Sequence, residues 1–339
     1  MPNTIKQEVK GVDTQKGTLV ISLDFELYWG VRDKKNLDIY QDNLLGVRAV
    51  VPRLLNLFDK YKVHATWATV GFLFLKDRQE LIQVLPKNKP NYSNVKLSPY
   101  TYLEKIGCNE AEDPFHYASS LIDMVASFPT QEIGTHTFSH YYCLEKGQTA
   151  DTFREDLKTA IKVAKNRNID IKSIVFPRNQ FNKEYIDICK ENGLLAYRGN
   201  QLSWLYKATS QEDESSLRRA LRLIDAYLNI SGHNCYSIKE IPKAVPADIR
   251  SSRFLRPYSK KMKLGESLRL KRILSDLTYA AKKGLIYHLW WHPHNFGTNT
   301  EENFSFLEKI LEHYLQLQNK YGMQSLNMGE LAELVAYER

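Results

Sequence analysis

Residues 18–25 read Thr-Leu-Val-Ile-Ser-Leu-Asp-Phe, and residues 43–61 set Leu44, Val47, Val51, Leu54, Leu55 and Phe58 at helical spacing. The first is a short run of branched apolar residues, the mark of a buried strand. The second predicts a helix with one face turned to a core. Residues 63–73 (VHATWATVGFL) return to strand character, and the alternation continues. Helices are predicted near 115–127, 149–167, 183–192, 214–230, 264–283 and 302–320, with a last one from Met328. Strands are predicted near 132–135, 173–176, 194–197, 285–291 and 323–326, and Gly193 stands where a helix C-cap glycine belongs.

Strand then helix, repeated, implies a parallel sheet, and this number of repeats suits a closed or nearly closed α/β barrel. One domain over 1–339 is expected, with its core at about 18–338. Two stretches break the rhythm: 76–114, with Pro86, Pro90, Pro99 and Pro114, and 232–263, also rich in proline. Both read as loop insertions over the barrel mouth.

Composition narrows the function classes. A hydrophobic share of 43% and an aromatic share of 12% exclude a disordered chain. No apolar run approaches the roughly 18–20 residues of a membrane span. Residues 1–16 are polar and show no signal peptide, and Cys108, Cys143, Cys189 and Cys235 are too scattered for a disulfide framework. These features read as a cytoplasmic protein. The net charge of +8 favours anionic partners, and much of it lies between Arg250 and Lys283, where only Glu266 and Asp276 oppose the cations. That stretch reads either as a solvated face or as a contact for the phosphates of a nucleotide-sugar or lipid-linked glycan, with peripheral membrane contact left open. No nucleic-acid module accompanies it, so a nucleic-acid partner is not expected.

Three predicted strand ends carry groups suited to metal binding or proton transfer, at the end of a parallel barrel where active sites are built. Asp24 and Glu26, two apart, share a face, and such a pair can divide into a metal ligand and a general base; it equally suits a solvated strand end. In His136-Thr-Phe-Ser-His140, a helical turn would set both imidazoles on one side. With one carboxylate they make a three-ligand site that leaves room for water and substrate. In residues 287–295 (YHLWWHPHN), alternation puts His288, Trp290 and His292 on one face. His292, nearest the strand end, is expected to be the general acid, with His294 second and His288 a core residue. Trp290 and Trp291 offer stacking surfaces for a sugar, or else fill the barrel wall.

Asp24, His136-x-x-x-His140 and His292, in this order, resemble the NodB-like polysaccharide deacetylases, carbohydrate esterase family 4. The likeness runs from about Thr18 to Glu338 and is most specific at residues 134–140, GTHTFSH. It implies a distorted (β/α) barrel of seven or eight strands. It also implies a divalent ion (zinc first, or cobalt, nickel or manganese) and removal of an acetyl group from an N-acetylated, occasionally O-acetylated, sugar. Residues 290–297 (WWHPHNFG) and 252–258 (SRFLRPY) look like a branch found among surface-polysaccharide biosynthesis proteins.

The sequence departs from the family pattern at three points. The family's first motif has adjacent aspartates, base then ligand; here Phe25 follows Asp24 and the second acid is Glu26. Either Glu26 ligates from a shifted position or Asp24 itself ligates. The third motif usually ends in Pro-Tyr; here it reads Phe176-Pro-Arg178-Asn179-Gln180, so Arg178 is expected over the site, stabilising developing charge. The aspartate that orients the catalytic histidine has no match near 200–204. Substrate contacts are expected from Trp290, Trp291, His294, Asn179, Arg253 and Arg256. The reading is a metal-dependent sugar N-deacylase. Its rivals are a hydrolase of another C–N bond (cyclic amide, formamide or imide) and a non-catalytic glycan-binding barrel.

Overall fold

In a computed structural model that describes residues 13–207 and 215–337, one sheet runs through the molecule. Its strands are β1 (Thr18–Phe25), β2 (Ala65–Thr69), β3 (Gln131–Thr135), β4 (Ser173–Ile174), β5 (Ala196–Tyr197), β6 (Ala247–Asp248), β7 (Arg253–Phe254), β8 (Ile286–Trp291) and β9 (Gln324–Ser325). The order is β6-β5-β4-β3-β2-β1-β8-β7, with β9 paired to the start of β1. Every pairing is parallel. The expected residues 1–12, Glu214 and Glu338 lie outside the described residues.

β6 and β7 are opposite ends of this path yet neighbours in sequence. Residues 249–252 step from one sheet edge to the other, as Ser251 N–H donates to the Gly199 carbonyl (2.9 Å) and Ser252 N–H to the His288 carbonyl (2.8 Å). The sheet thereby curls into the distorted (β/α) barrel expected. The reading of 232–263 as a mere insertion is corrected, since it supplies two wall strands. Two-residue strands among Pro242, Pro246 and Pro257 carry no periodicity that could reveal them. The stretch 76–114 contains no strand among the described residues.

All of β1 is buried. Alternation sends Leu19, Ile21, Leu23 and Phe25 outward, into the core beneath the helices with Trp67 and Trp291. Its inward side is graded. Val20 joins Leu326, Met328 and Leu331 where the last helix, Met328–Tyr337, covers the N-terminal end of the barrel. Ser22 follows, bonded to His288 Nε2 at 2.8 Å, and Asp24 stands at the top. His288 is a core histidine as expected, and burial pushes its pKa down to about 3.

The predicted helix over 43–61 is two helices, α1 (Leu37–Leu45) and α2 (Val47–Tyr61). They divide at Gly46, where a Cβ would lie 2.2 Å from the Gly297 carbonyl oxygen. The predicted strand over 63–73 ends at Thr69. Residues 71–74 form a 3-10 turn, and Gly71 and Phe72 N–H groups donate to the carbonyls of Thr137 and Phe138.

The register of β8 separates its tryptophans: Trp291 packs at ring distances of 6.3 Å from Phe58 and 5.7 Å from Phe296, fully buried. Its assignment to substrate is therefore corrected. Trp290 points inward and lines a cleft. Trp291→Ala should cost about 3–5 kcal/mol of stability in urea unfolding, and Trp290→Ala markedly less.

Candidate active site at the strand C-termini

The histidine pair is built by a loop, which corrects the expected helical turn. Beyond β3, Thr137 and His140 take left-handed backbone conformations, with φ of 64° and 58°. Helix α5 (Ala150–Lys165) holds the loop in that shape: Asp156 accepts from Phe138 N–H at 2.7 Å, from Ser139 N–H at 3.2 Å and from the Ser139 hydroxyl. Asp156 is fully buried, which pushes its carboxyl up to about 6 despite these donors.

Both imidazoles meet Glu26, just beyond β1. Glu26 Oε2 lies 3.1 Å from His140 Nε2 and 3.4 Å from His136 Nε2. One ligand atom from each of the three lies within 4.8 Å of the others, and all three residues are buried. Gly30 makes room for the carboxylate, because a Cβ there would lie 1.9 Å from the Glu26 carboxyl carbon.

The donor set fits a divalent cation. His136 Nδ1–H donates to the Val175 carbonyl at 2.8 Å, which leaves Nε2 with a lone pair aimed at a carboxylate. Burial pushes His140 down to about 4, so it is neutral at pH 7. Burial also opposes the charge on Glu26, but the His292 charge and the adjoining His136 and His140 imidazoles hold its carboxyl well below the usual range. An anion and a facing lone pair without a proton between them are what a cation reconciles.

Asp24 belongs to a different arrangement. Arg198, immediately after β5, donates from both terminal nitrogens to the two Asp24 oxygens at 2.6 and 2.8 Å. It also reaches Ser22 Oγ at 3.1 Å and Asn179 Oδ1 at 3.0 Å. Burial raises the Asp24 pKa, but the Arg198 charge and hydrogen bonds, with the His136 and His292 charges, together outweigh it and the net shift is downward. His292 Nε2 stands between the two acids, 3.6 Å from Glu26 Oε1 and 3.8 Å from Asp24 Oδ2. Its side chain is 23% exposed, against 4% for each acid.

Arg198 was not legible in the sequence; the expected arginine, Arg178, sits further out. Arg178 pairs with Asp33 and Glu145 and lies over the Tyr142 ring at 4.1 Å. His294 is buried behind His292, the rings stacked at 4.9 Å, and its expected substrate contact is corrected. Asn43 Nδ2 holds its carbonyl at 3.1 Å, so its place is to support the His292 turn.

A cleft of about 240 Å³ opens beside this cluster. Trp290 and Asn179 line it, with the cations Arg178, Lys207, Arg222, Arg253 and Arg256 and no carboxylate among the described residues. Arg253 is also structural, pairing with Asp276 at 2.9 Å and Asp225 at 3.5 Å.

A distorted parallel barrel with a Glu-His-His cluster and an acid–histidine pair at its strand ends defines the NodB-type deacetylase fold class. Residues 33–197 match the family model for polysaccharide deacetylase. Solved structures of similar fold include a Mycobacterium smegmatis protein assigned as a polysaccharide deacetylase, with TM-score 0.55, 12% identity and coverage of 95% of this chain and 92% of that one. A Pseudomonas aeruginosa PAO1 protein assigned likewise gives TM-score 0.53 and 11% identity over 95% and 91% of the two chains. PuuE allantoinase gives 0.52 and 10% over 93% and 88%. At these identities the likeness is one of fold. No curated protein sequence matches significantly.

Gly30→Ala, which drives a methyl into the Glu26 carboxylate, should weaken zinc or cobalt binding about 10- to 100-fold in calorimetric titration without loss of secondary structure. Asp156→Ala, which frees the histidine loop, should act in the same direction. Unchanged affinity in both would remove Glu26 and the loop from the metal site.

Proposed function

We propose that this chain is a divalent-metal-dependent hydrolase that removes an acetyl or similar acyl group from an N-acylated sugar in glycoconjugate or polysaccharide biosynthesis. The observation that carries the reading is the separation of two buried carboxylates. Glu26 faces the two imidazoles of His136 and His140, and Asp24 is paired with Arg198 a few ångströms away. Glu26, His136 and His140 are the ligands in this reading, with zinc the first candidate. An ion held there supplies Lewis-acid polarisation of the acyl group and acidification of a water.

The other roles follow from the chain's own groups. Asp24 is the general base. Arg198 occupies one lone pair on each of its oxygens, which leaves further lone pairs to accept a proton. His292 can take a proton from the Asp24 side and deliver it to the departing sugar amine, and its partial exposure puts it at the substrate end. Trp290, with Arg198 beneath its ring at 4.1 Å, is a stacking surface for a sugar. Arg198 acts through Asp24 and is a positioning residue.

Chelated protein should release no acyl acid from a panel of N-acylated sugars, nucleotide-sugars and lipid-linked glycans, and zinc or cobalt should restore release. Asp24→Asn should keep its metal and lose about 10²- to 10⁴-fold in kcat. His136→Ala should lose both metal and activity. Acyl release by the chelated protein, or none from any substrate by the metal-loaded protein, would overturn the reading.

A further inference from the structure

Helix α7 (Ser216–Asp225) is inside out for a helix on a water-facing surface. Two of its three arginines turn toward the protein: Arg218 Nη2 donates to the carbonyls of Trp204, Leu205 and Lys207 at 3.3, 3.3 and 2.7 Å, and Arg222 Nη1 to that of Leu205 at 3.3 Å. Its apolar side faces out, with Leu217 68% and Ile224 44% exposed. Trp204, whose carbonyl Arg218 holds, is 64% exposed, and Leu264 is 97% exposed. The turn bearing Leu264 lies beside the helix end, since a Cβ on Gly265 would be 2.8 Å from the Tyr227 ring. Exposed apolar side chains gathered on neighbouring elements mark a docking face.

Cations ring it. Arg219, Lys260, Lys261, Lys263 and Lys271 are exposed. Of the nearby described acids, Asp225 is buried against Arg253, and Glu266 pairs with Arg269. The sequence adds Glu212, Asp213 and Glu214, which lie outside the described residues. A second copy is a poor occupant, because a two-fold contact would set these lysines against themselves. An outward apolar stripe edged by cations is the pattern of a helix lying in a membrane interface.

The cationic cleft shares its rim with this face. Lys207, Arg222 and Arg256 belong to its wall, and Arg253 Nη2 is buried there without a hydrogen-bond partner among the described residues. We propose that the α7 face docks on an anionic lipid bilayer and brings the cleft to headgroup level, where it takes the phosphate of a lipid-linked sugar. The sugar part rests on the hydrolase reading above; the docking does not.

The test is co-sedimentation of the full-length, metal-loaded protein with phosphatidylcholine vesicles, with and without phosphatidylglycerol. Binding should require phosphatidylglycerol, fall as salt is raised, and weaken about fivefold for each of Lys260→Ala and Lys261→Ala. Leu217→Glu with Ile224→Glu should reduce binding about tenfold or more and leave hydrolysis of a soluble N-acetylated sugar unchanged. The same double variant should lose a similar factor on a vesicle-borne sugar linked to a lipid phosphate. No binding to anionic vesicles, or binding indifferent to the double variant, would overturn the proposal. So would a dimer in size-exclusion chromatography that the double variant dissolves. Vesicle binding without hydrolysis of any N-acylated sugar would uphold the docking and overturn the hydrolase reading instead.

Discussion

Burial of the Glu26 carboxylate against two imidazoles is the constraint around which the top of this barrel is arranged. A carboxylate taken from water costs several kcal/mol unless opposite charge or hydrogen bonds offset it. Here the partners are lone-pair donors as much as proton donors, an arrangement that a cation completes. The surrounding architecture maintains this unfavourable meeting. Gly30 clears the volume, Val175 fixes the His136 tautomer, and Asp156 holds two left-handed residues in the loop between the histidines.

The second carboxylate gains its separate character from a different strand. Asp24 and Glu26 are two residues apart and share surroundings, yet only Asp24 meets Arg198. The guanidinium reaches it because β5 pairs with β4 and β6 and turns the residue after Tyr197 into the barrel. A ligand and a base can therefore arise from neighbouring acids without adjacent aspartates. The displacement from Asp-Asp to Asp24-x-Glu26 is compatible with the same division of labour, since Glu26 leaves the strand and its longer side chain crosses toward the histidine loop.

Much of this was legible in the sequence, and the remainder was hidden for identifiable reasons. The strand–helix alternation, the buried β1 and the inward face of His288, Trp290 and His292 follow from periodicity, and the pair His136/His140 from its motif. The loop conformation at 136–140 did not, because it depends on Asp156 in a helix whose pattern shows only an amphipathic face. β6 and β7 are too short to carry a pattern. Arg198 follows a two-residue strand and has no local signal, so attention fell on Arg178, which stands beside a recognisable motif. Trp290 and Trp291 are alike in composition and are separated only by the register of β8 against β1.

The inverted helix and the cationic cleft extend the same logic outward: charges face inward where an anionic group would enter, and apolar side chains face outward around it. The central claim remains the buried cluster. Crystals of the protein grown with zinc and measured on both sides of the zinc absorption edge test it most directly. The account predicts one strong anomalous peak ligated by Glu26, His136 and His140, with Asp24 still paired to Arg198. A peak ligated by Asp24 in place of Glu26, or no peak between the histidines at saturating zinc, would contradict it.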